Sequence, residues 1–196
     1  MEVVAAKELG RIENVLLENF KSYEGPHTIG PFDKFTCIIG PNGSGKSNVM
    51  DAISFCLGIR AKHLRGERLK DLIYRREEED VDSNRRSAKV TIVFVTPSQE
   101  RLHFGRHINF LGQGSYHFGP ANDVRLVSYD DFVLRLAELQ IYIKARNFLV
   151  FQGDVMELAR RQGTDLTGVL ETISGSDQLK EDYERLSREL EVTQER

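Results

Sequence analysis

Cysteine is nearly absent, with two in 196 residues. Cys37 falls in an apolar stretch and Cys56 in a helix-compatible one, so both are expected to be buried thiols in a reducing compartment. Two isolated thiols of this kind make neither a disulfide framework nor a zinc site. No apolar run approaches the roughly 18 residues that a membrane span needs, and residues 1–9 are too short and too acidic for a signal or transit peptide. The chain is therefore expected to work inside the cell. Positive charge is not in excess either. The formal net charge is −3, so any nucleic-acid surface must be local. No Ser/His/Asp or Cys/His arrangement suggests nucleophilic catalysis. What remains is a globular composition, 40% hydrophobic and 29% charged, with length for one domain or one domain plus an appendage.

Against that background one motif stands out. Residues 40–47 read Gly40-Pro41-Asn42-Gly43-Ser44-Gly45-Lys46-Ser47, a complete G-x-x-x-x-G-K-S run. The apolar residues 35–39 are expected to form a strand leading into it, and Asn48 opens a helix-compatible stretch leading out. Glycines let the backbone curl so that several N–H groups point at one spot, where the following helix adds its positive end. Lys46 is then placed for the outer phosphates of a nucleoside triphosphate and the Ser47 hydroxyl for Mg²⁺.

The rest of the chain reads as an α/β domain with much antiparallel strand. Residues 11–19 form an opening strand, and a turn at Glu24-Gly25-Pro26 returns through a short strand near 27–29. Gly58 stops the helix after the loop. Residues 89–95 are rich in β-branched side chains and read as a strand. Leu102, Phe104, Ile108 and Phe110 alternate with polar neighbours in another, and residues 115–118 pair back across Gly112-Gln113-Gly114. Ser128 is placed to cap a helix over 129–139, with Asp130 and Asp131 suiting its dipole. A further strand is expected over 147–151, with helices over 154–161 and 164–173. Leu179, Tyr183, Leu186 and Leu190 are spaced 4-3-4 among charged residues. That spacing opens either an a/d coiled-coil seam or an amphipathic helix packed on the domain.

Several residues carry two readings on sequence alone. Gln152, at the end of an apolar strand before Gly153, either merely ends the strand or contacts Mg²⁺ and the attacking water, as a glutamine does there in ATPases of the ABC type. The basic stretch 60–76 could meet DNA phosphates. It could instead lend an arginine, Arg65 first, to the γ-phosphate, or it could be a solvated face offset by the acidic 77–80. His103, His107 and His117 form either a metal site or an exposed hairpin. Two elements of ATP hydrolysis are missing: no apolar strand after the loop ends in Asp-Glu, and no Leu-Ser-Gly-Gly signature occurs. The chain holds half of a catalytic site.

Asn19-Phe20-Lys21-Ser22-Tyr23, the loop, and Met50-Asp51-Ala52-Ile53-Ser54-Phe55-Cys56-Leu57-Gly58 together resemble the N-terminal head segment of the structural maintenance of chromosomes (SMC) family. Residues 143–154, Ile-Lys-Ala-Arg-Asn-Phe-Leu-Val-Phe-Gln-Gly-Asp, resemble the cohesin-type branch of that family. The resemblance implies a P-loop NTPase fold, an ABC-type ATPase head whose N-terminal lobe spans 11–175. Residues 1–10 would be an extension and 176–196 the start of a coiled-coil arm. It implies ATP and Mg²⁺ as ligands, with Lys21, residues 40–47 and Asn48 as nucleotide contacts, Ser47 and Gln152 at the metal, and Gln152 and Arg65 in catalytic roles. It also implies four partners: the chain's own C-terminal head lobe, a second SMC subunit in a heterodimer, a kleisin-type subunit and DNA. No membrane is involved, and the place of work is the chromosome in the nucleus.

Overall fold

The computed structural model describes residues 10–59, 68–76, 78, 85–143, 149–150, 163, 167–168, 170–171, 174 and 176–194. Two units are distinguished, Met1–Arg135 and Leu136–Arg196.

The first unit is built on six strands: β1 (Arg11–Phe20), β2 (Tyr23–Ile29), β3 (Ala88–Val95), β4 (Arg101–Ile108), β5 (Gly114–Pro120) and β6 (Arg125–Val127). They form one sheet in the order β2-β1-β3-β4-β5-β6, and every pairing among them is antiparallel. Helix α1 (Lys46–Cys56) lies in the connection from β2 to β3 and packs on one face. The Cys56 Sγ–H reaches the carbonyl of Phe104 on β4 at 3.1 Å, and the Phe55 ring lies 5.3 Å from that of Phe20 on β1. Register explains that face. Val15, Ile92 and Phe104 stand opposite one another across β1, β3 and β4, all fully buried. The next row runs Leu17, Val90, Arg106, Tyr116, Val127 across five strands, one cation in an otherwise apolar and aromatic line.

β-Branched composition predicts β3 and alternation predicts β4, where a period of two puts an apolar set on one face. The end of α1 follows expectation too. Gly58 takes φ 93°, its N–H bonds to Phe55 O, and the N–H of Ile59 bonds to Ser54 O, each at 3.0 Å. This is a Schellman closure. Helix α2 (Tyr129–Glu138) starts at the expected cap, where the N–H of Asp131 donates to Ser128 Oγ at 3.1 Å.

Three expectations need correction. The chain reverses at Lys21-Ser22 rather than at 24–26. Asn19 and Lys21 adopt φ 47° and 49°, and Asn19 Oδ1 accepts the N–H of Gly25 at 2.9 Å. Glu24, Gly25 and Pro26 belong to β2 itself, which lies at the sheet's edge, where a proline's missing N–H costs no ladder bond. Second, residues 35–39 are not a strand. Phe32 is still tied to β1 by its N–H to Glu13 O at 2.7 Å, but beyond it no described strand runs alongside. An apolar segment without neighbours can neither pair its backbone nor bury its side chains, and Phe35 and Ile39 are 89% and 86% exposed. Cys37 is consequently exposed, not buried; only Cys56 is buried. Third, the β4–β5 hairpin that carries the histidines lies inside the sheet, flanked by β3 and β6, so His103, His107 and His117 are half-buried rather than exposed.

In the second unit α2 ends with the N–H of Ile141 bonded to Leu136 O at 2.9 Å. Helix α3 (Lys180–Gln194) follows a 3-10 turn over Ser176–Leu179. No residue of α3 is buried, and Leu179, Tyr183, Leu186 and Leu190 are all exposed. The expected strand over 147–151 falls largely outside the described residues; Leu149 and Val150, which are described, are not in a strand. The helix expected over 154–161 lies outside them altogether.

Candidate phosphate-binding loop

Glycine at two loop positions is dictated by backbone geometry. Gly43 and Gly45 take φ 83° and 88°, a region costly to residues with a Cβ. A Cβ on Gly45 would also stand 3.1 Å from Ser22 Oγ and 3.2 Å from the Tyr23 hydroxyl. Gly45 is the N-cap of α1. It offers no capping side chain, and the first turn of the helix contains no acidic residue. The positive end of the helix is thus left for an external anion. The loop is closed on itself: the N–H of Ser44 donates to Pro41 O at 3.3 Å, and Lys46 Nζ donates to the carbonyls of Gly40 and Pro41, both at 2.6 Å. Ser47 is exposed. The loop, the lysine and the hydroxyl are all of the type that holds a nucleotide's phosphates with Mg²⁺.

The turn between β1 and β2 grips this loop from the side. Lys21 Nζ pairs with Asp51 Oδ2 of α1 at 2.5 Å, with side chains 12% and 5% exposed. Asn48 Nδ2 donates to Ser22 Oγ at 2.8 Å, and the Tyr23 hydroxyl to Gly45 O at 3.3 Å. Burial raises the Tyr23 pKa, which keeps that phenol a donor. The turn is braced in its own right: the N–H of Lys21 bonds to Leu72 O at 2.9 Å and the N–H of Tyr74 to Asn19 O at 2.7 Å. Beside it opens a cleft of about 410 Å³ lined by Lys21, Asn48, Asp71, Ile73 and Arg75.

Of the residues singled out from sequence, Lys21 and Asn48 line the cleft together, Lys21 paired to α1 and Asn48 in its first turn, directly after the loop at 40–47. Arg65 and Gln152 lie outside the described residues. In the described part of the basic stretch, carboxylates sit close to two arginines: Asp71 lies 3.6 Å from Arg68 and Glu24 lies 3.1 Å from Arg76. The histidines make no metal cluster among the described residues. Burial, helped by nearby Lys89, lowers the pKa of His103 and of His117. Sequence reasoning missed Asp51, Ser22 and Tyr23 as loop-holding residues. Asp51 could have been found, because a carboxylate on the inward face of a helix demands a cation and the turn supplies Lys21.

A family model, the RecF/RecN/SMC N-terminal domain, matches residues 11–188. Structural maintenance of chromosomes protein 1 of Arabidopsis thaliana is 50% identical over 177 residues, covering 90% of this chain and 14% of that protein. The Saccharomyces cerevisiae protein of the same name is 44% identical over 195 residues, covering 93% and 16%. The chain thus spans about a seventh of the length of these curated relatives. Among solved structures, a Pyrococcus furiosus Smc head domain with an extended coiled coil, bound to the C-terminal domain of ScpA, superposes with TM-score 0.73 at 29% identity. That match covers 95% of this chain and 47% of the other. An SMC ATPase studied for ATP-driven dimerization and DNA-stimulated activation gives TM-score 0.68 at 29% identity, covering 83% and 98%.

Proposed function

Because this chain belongs to the RecF/RecN/SMC N-terminal domain family, we propose that it is the ATP-binding N-terminal head lobe of a cohesin-type SMC ATPase, in the position of the first SMC subunit. One observation carries the reading: a formed phosphate loop is fed by an apolar segment, residues 35–39, that no described strand covers. Each large apolar side chain left in water there forgoes about 2 kcal/mol of burial. A C-terminal lobe supplying the missing strands would recover it, and with them the acidic strand end and the signature motif that this sequence lacks.

In this reading the head lobe spans 11–175 and the coiled-coil arm begins within 176–196. The 4-3-4 spacing of Leu179, Tyr183, Leu186 and Leu190 running through α3 supports the arm. Lys46 and the backbone N–H groups of residues 40–47 other than Pro41 hold the phosphates of ATP, Ser47 and Gln152 hold Mg²⁺, and Lys21 and Asn48 line the nucleotide's side of the loop. Gln152 orients the water, and Arg65 couples DNA to hydrolysis. Alone, the lobe binds but does not turn over ATP. Joined to its C-terminal lobe, a second SMC subunit and a kleisin-type subunit, it links ATP hydrolysis to DNA entrapment and sister chromatid cohesion on chromosomes in the nucleus.

The test is Lys46→Ala in the full-length protein. ATP affinity should fall at least ~100-fold, as expected when a phosphate-loop lysine is lost, with no change in the melting temperature of the unliganded head. Unchanged affinity in a binding titration would sink the assignment.

A further inference from the structure

Arg106 is the one cation in the cross-strand row Leu17, Val90, Arg106, Tyr116, Val127, and it is 7% exposed. Its Nη1 donates to two carbonyls, Phe55 O and Ile59 O, both at 3.1 Å. These are the oxygens on either side of the point where α1 ends. The guanidinium lies over the Phe55 ring, 4.4 Å from its centroid, and over the Tyr116 ring, 5.0 Å away. Tyr116 in turn packs on α2, with ring centroids 5.3 Å from Tyr129 and 4.9 Å from Phe132. The buried Nε–H meets no acceptor among the described residues.

Stability alone does not account for this arrangement. A buried cation with one N–H unsatisfied is a poor stabiliser, and an apolar side chain of similar volume would commonly serve as well or better. What a guanidinium can do, and an apolar side chain cannot, is bind both carbonyls through one amino group, Nη1, while lying against the rings of Phe55 and Tyr116. The helix it holds begins at Lys46. Its 11 residues at 1.5 Å each make a rod of about 16 Å, with the phosphate loop at one end and Arg106 at the other. The guanidinium is too far from the phosphates to act on them by its charge. Its route to the loop is the position of the rod.

We propose that Arg106 is a positioning residue for the phosphate loop: it anchors the far end of α1 and, through Tyr116, ties that end to α2, so that phosphate binding at the loop is transmitted to α2. The proposal rests on the nucleotide reading of residues 40–47. In the wild type, ATP occupancy draws on the N-terminal end of α1, and a helix pinned at its other end passes the constraint to the aromatic contact at Tyr129 and Phe132.

The experiment compares wild type, Arg106→Met, Tyr116→Leu and Lys46→Ala in the full-length protein. ATP affinity is measured by titration, and hydrogen–deuterium exchange over residues 129–138 is followed with and without ATP, below the melting transition of every variant. In the wild type ATP slows exchange over 129–138. In Arg106→Met affinity falls ~10-fold, a typical coupling between linked sites, and the slowing disappears. If Arg106→Met does not fold, Tyr116→Leu decides. It leaves the bonds to α1 intact, so affinity stays within about twofold of wild type, a change well inside one coupling step, while the slowing is lost. The proposal is overturned if ATP leaves exchange over 129–138 unchanged in the wild type, or if the slowing persists in whichever of the two variants folds. Lys46→Ala separates the two levels: if it binds ATP like wild type, the loop reading has failed rather than the role of Arg106.

Discussion

Strand β3 reads Ala-Lys-Val-Thr-Ile-Val-Phe-Val and the segment at 35–39 reads Phe-Thr-Cys-Ile-Ile. By composition either is a buried strand. In the fold β3 lies between β1 and β4 with every residue but Lys89 buried, while the other stretch pairs with no described strand and exposes Phe35 and Ile39. The difference lies in the neighbours, not in the residues. β1 and β4 stand on either side of β3 within this chain, whereas the strands that would flank 35–39 are not among those described. Apolar character states what a segment needs; only the rest of the fold says whether the need is met.

The largest expected effect tests that contrast directly. Phe104→Ala, at a fully buried position beneath α1, should cost this chain about 4 kcal/mol in urea unfolding. Phe35→Ala should change stability by no more than ~0.5 kcal/mol. Equal losses would mean that residues 35–39 are packed and the contrast is false. In the full protein the gap should narrow, because a C-terminal lobe would then bury Phe35.

Next in size is the reactivity of the two cysteines, one in each region. Cys37 is exposed, whereas Cys56 lies under the sheet, where burial pushes its thiol pKa up to about 12. A maleimide reagent at pH 7.5 should modify one thiol per native chain quickly and the second only on unfolding. Mass mapping should place the fast label on Cys37, and joining the C-terminal lobe should slow it. Rapid labelling of Cys56 would break the comparison from the buried side.

These contrasts also mark what was legible beforehand. The loop, the Ser128 cap, the Gly58 stop and the strands of the hairpins are local patterns, in which a few neighbouring residues suffice to specify the geometry. The exposure of 35–39 was not legible, because it depends on which strands lie alongside. The reversal at Lys21-Ser22 was missed because Gly25-Pro26 is the stronger turn signal, and an edge strand absorbed it. The Lys21–Asp51 pair joins residues 30 apart in sequence. The reach of Arg106 to Phe55 O spans 51. Asp51 and Phe55 both lie on α1, and how that helix seats against the sheet is something no local window contains.

The smallest effect concerns the two faces of the same sheet. One is sealed by α1. The other carries His117 between Gly105 and Leu126, with His107 beside Ser115 and His103 beside Gly119. His103 is held below the usual imidazole range by burial first and then by Lys89; His117 by burial, then Lys89 and His107. A histidine whose folded pKa is depressed binds its proton more readily once unfolded. Between the folded value and the ordinary value near 6.5, the unfolded chain therefore carries more protons, and stability rises with pH across that window. Above about pH 7 the contribution is complete; as pH falls through 6.5 and below, it is lost. The urea midpoint of this chain should drop between pH 7.5 and pH 5.5, and the double variant His103→Gln, His117→Gln should drop less over the same interval. Because both rings are partly solvated the difference will be modest, but its sign is fixed. If the double variant fell as steeply as wild type, the face opposite α1 would bury its histidines no more than the unfolded chain does, and the two faces of the sheet would differ only in what covers them.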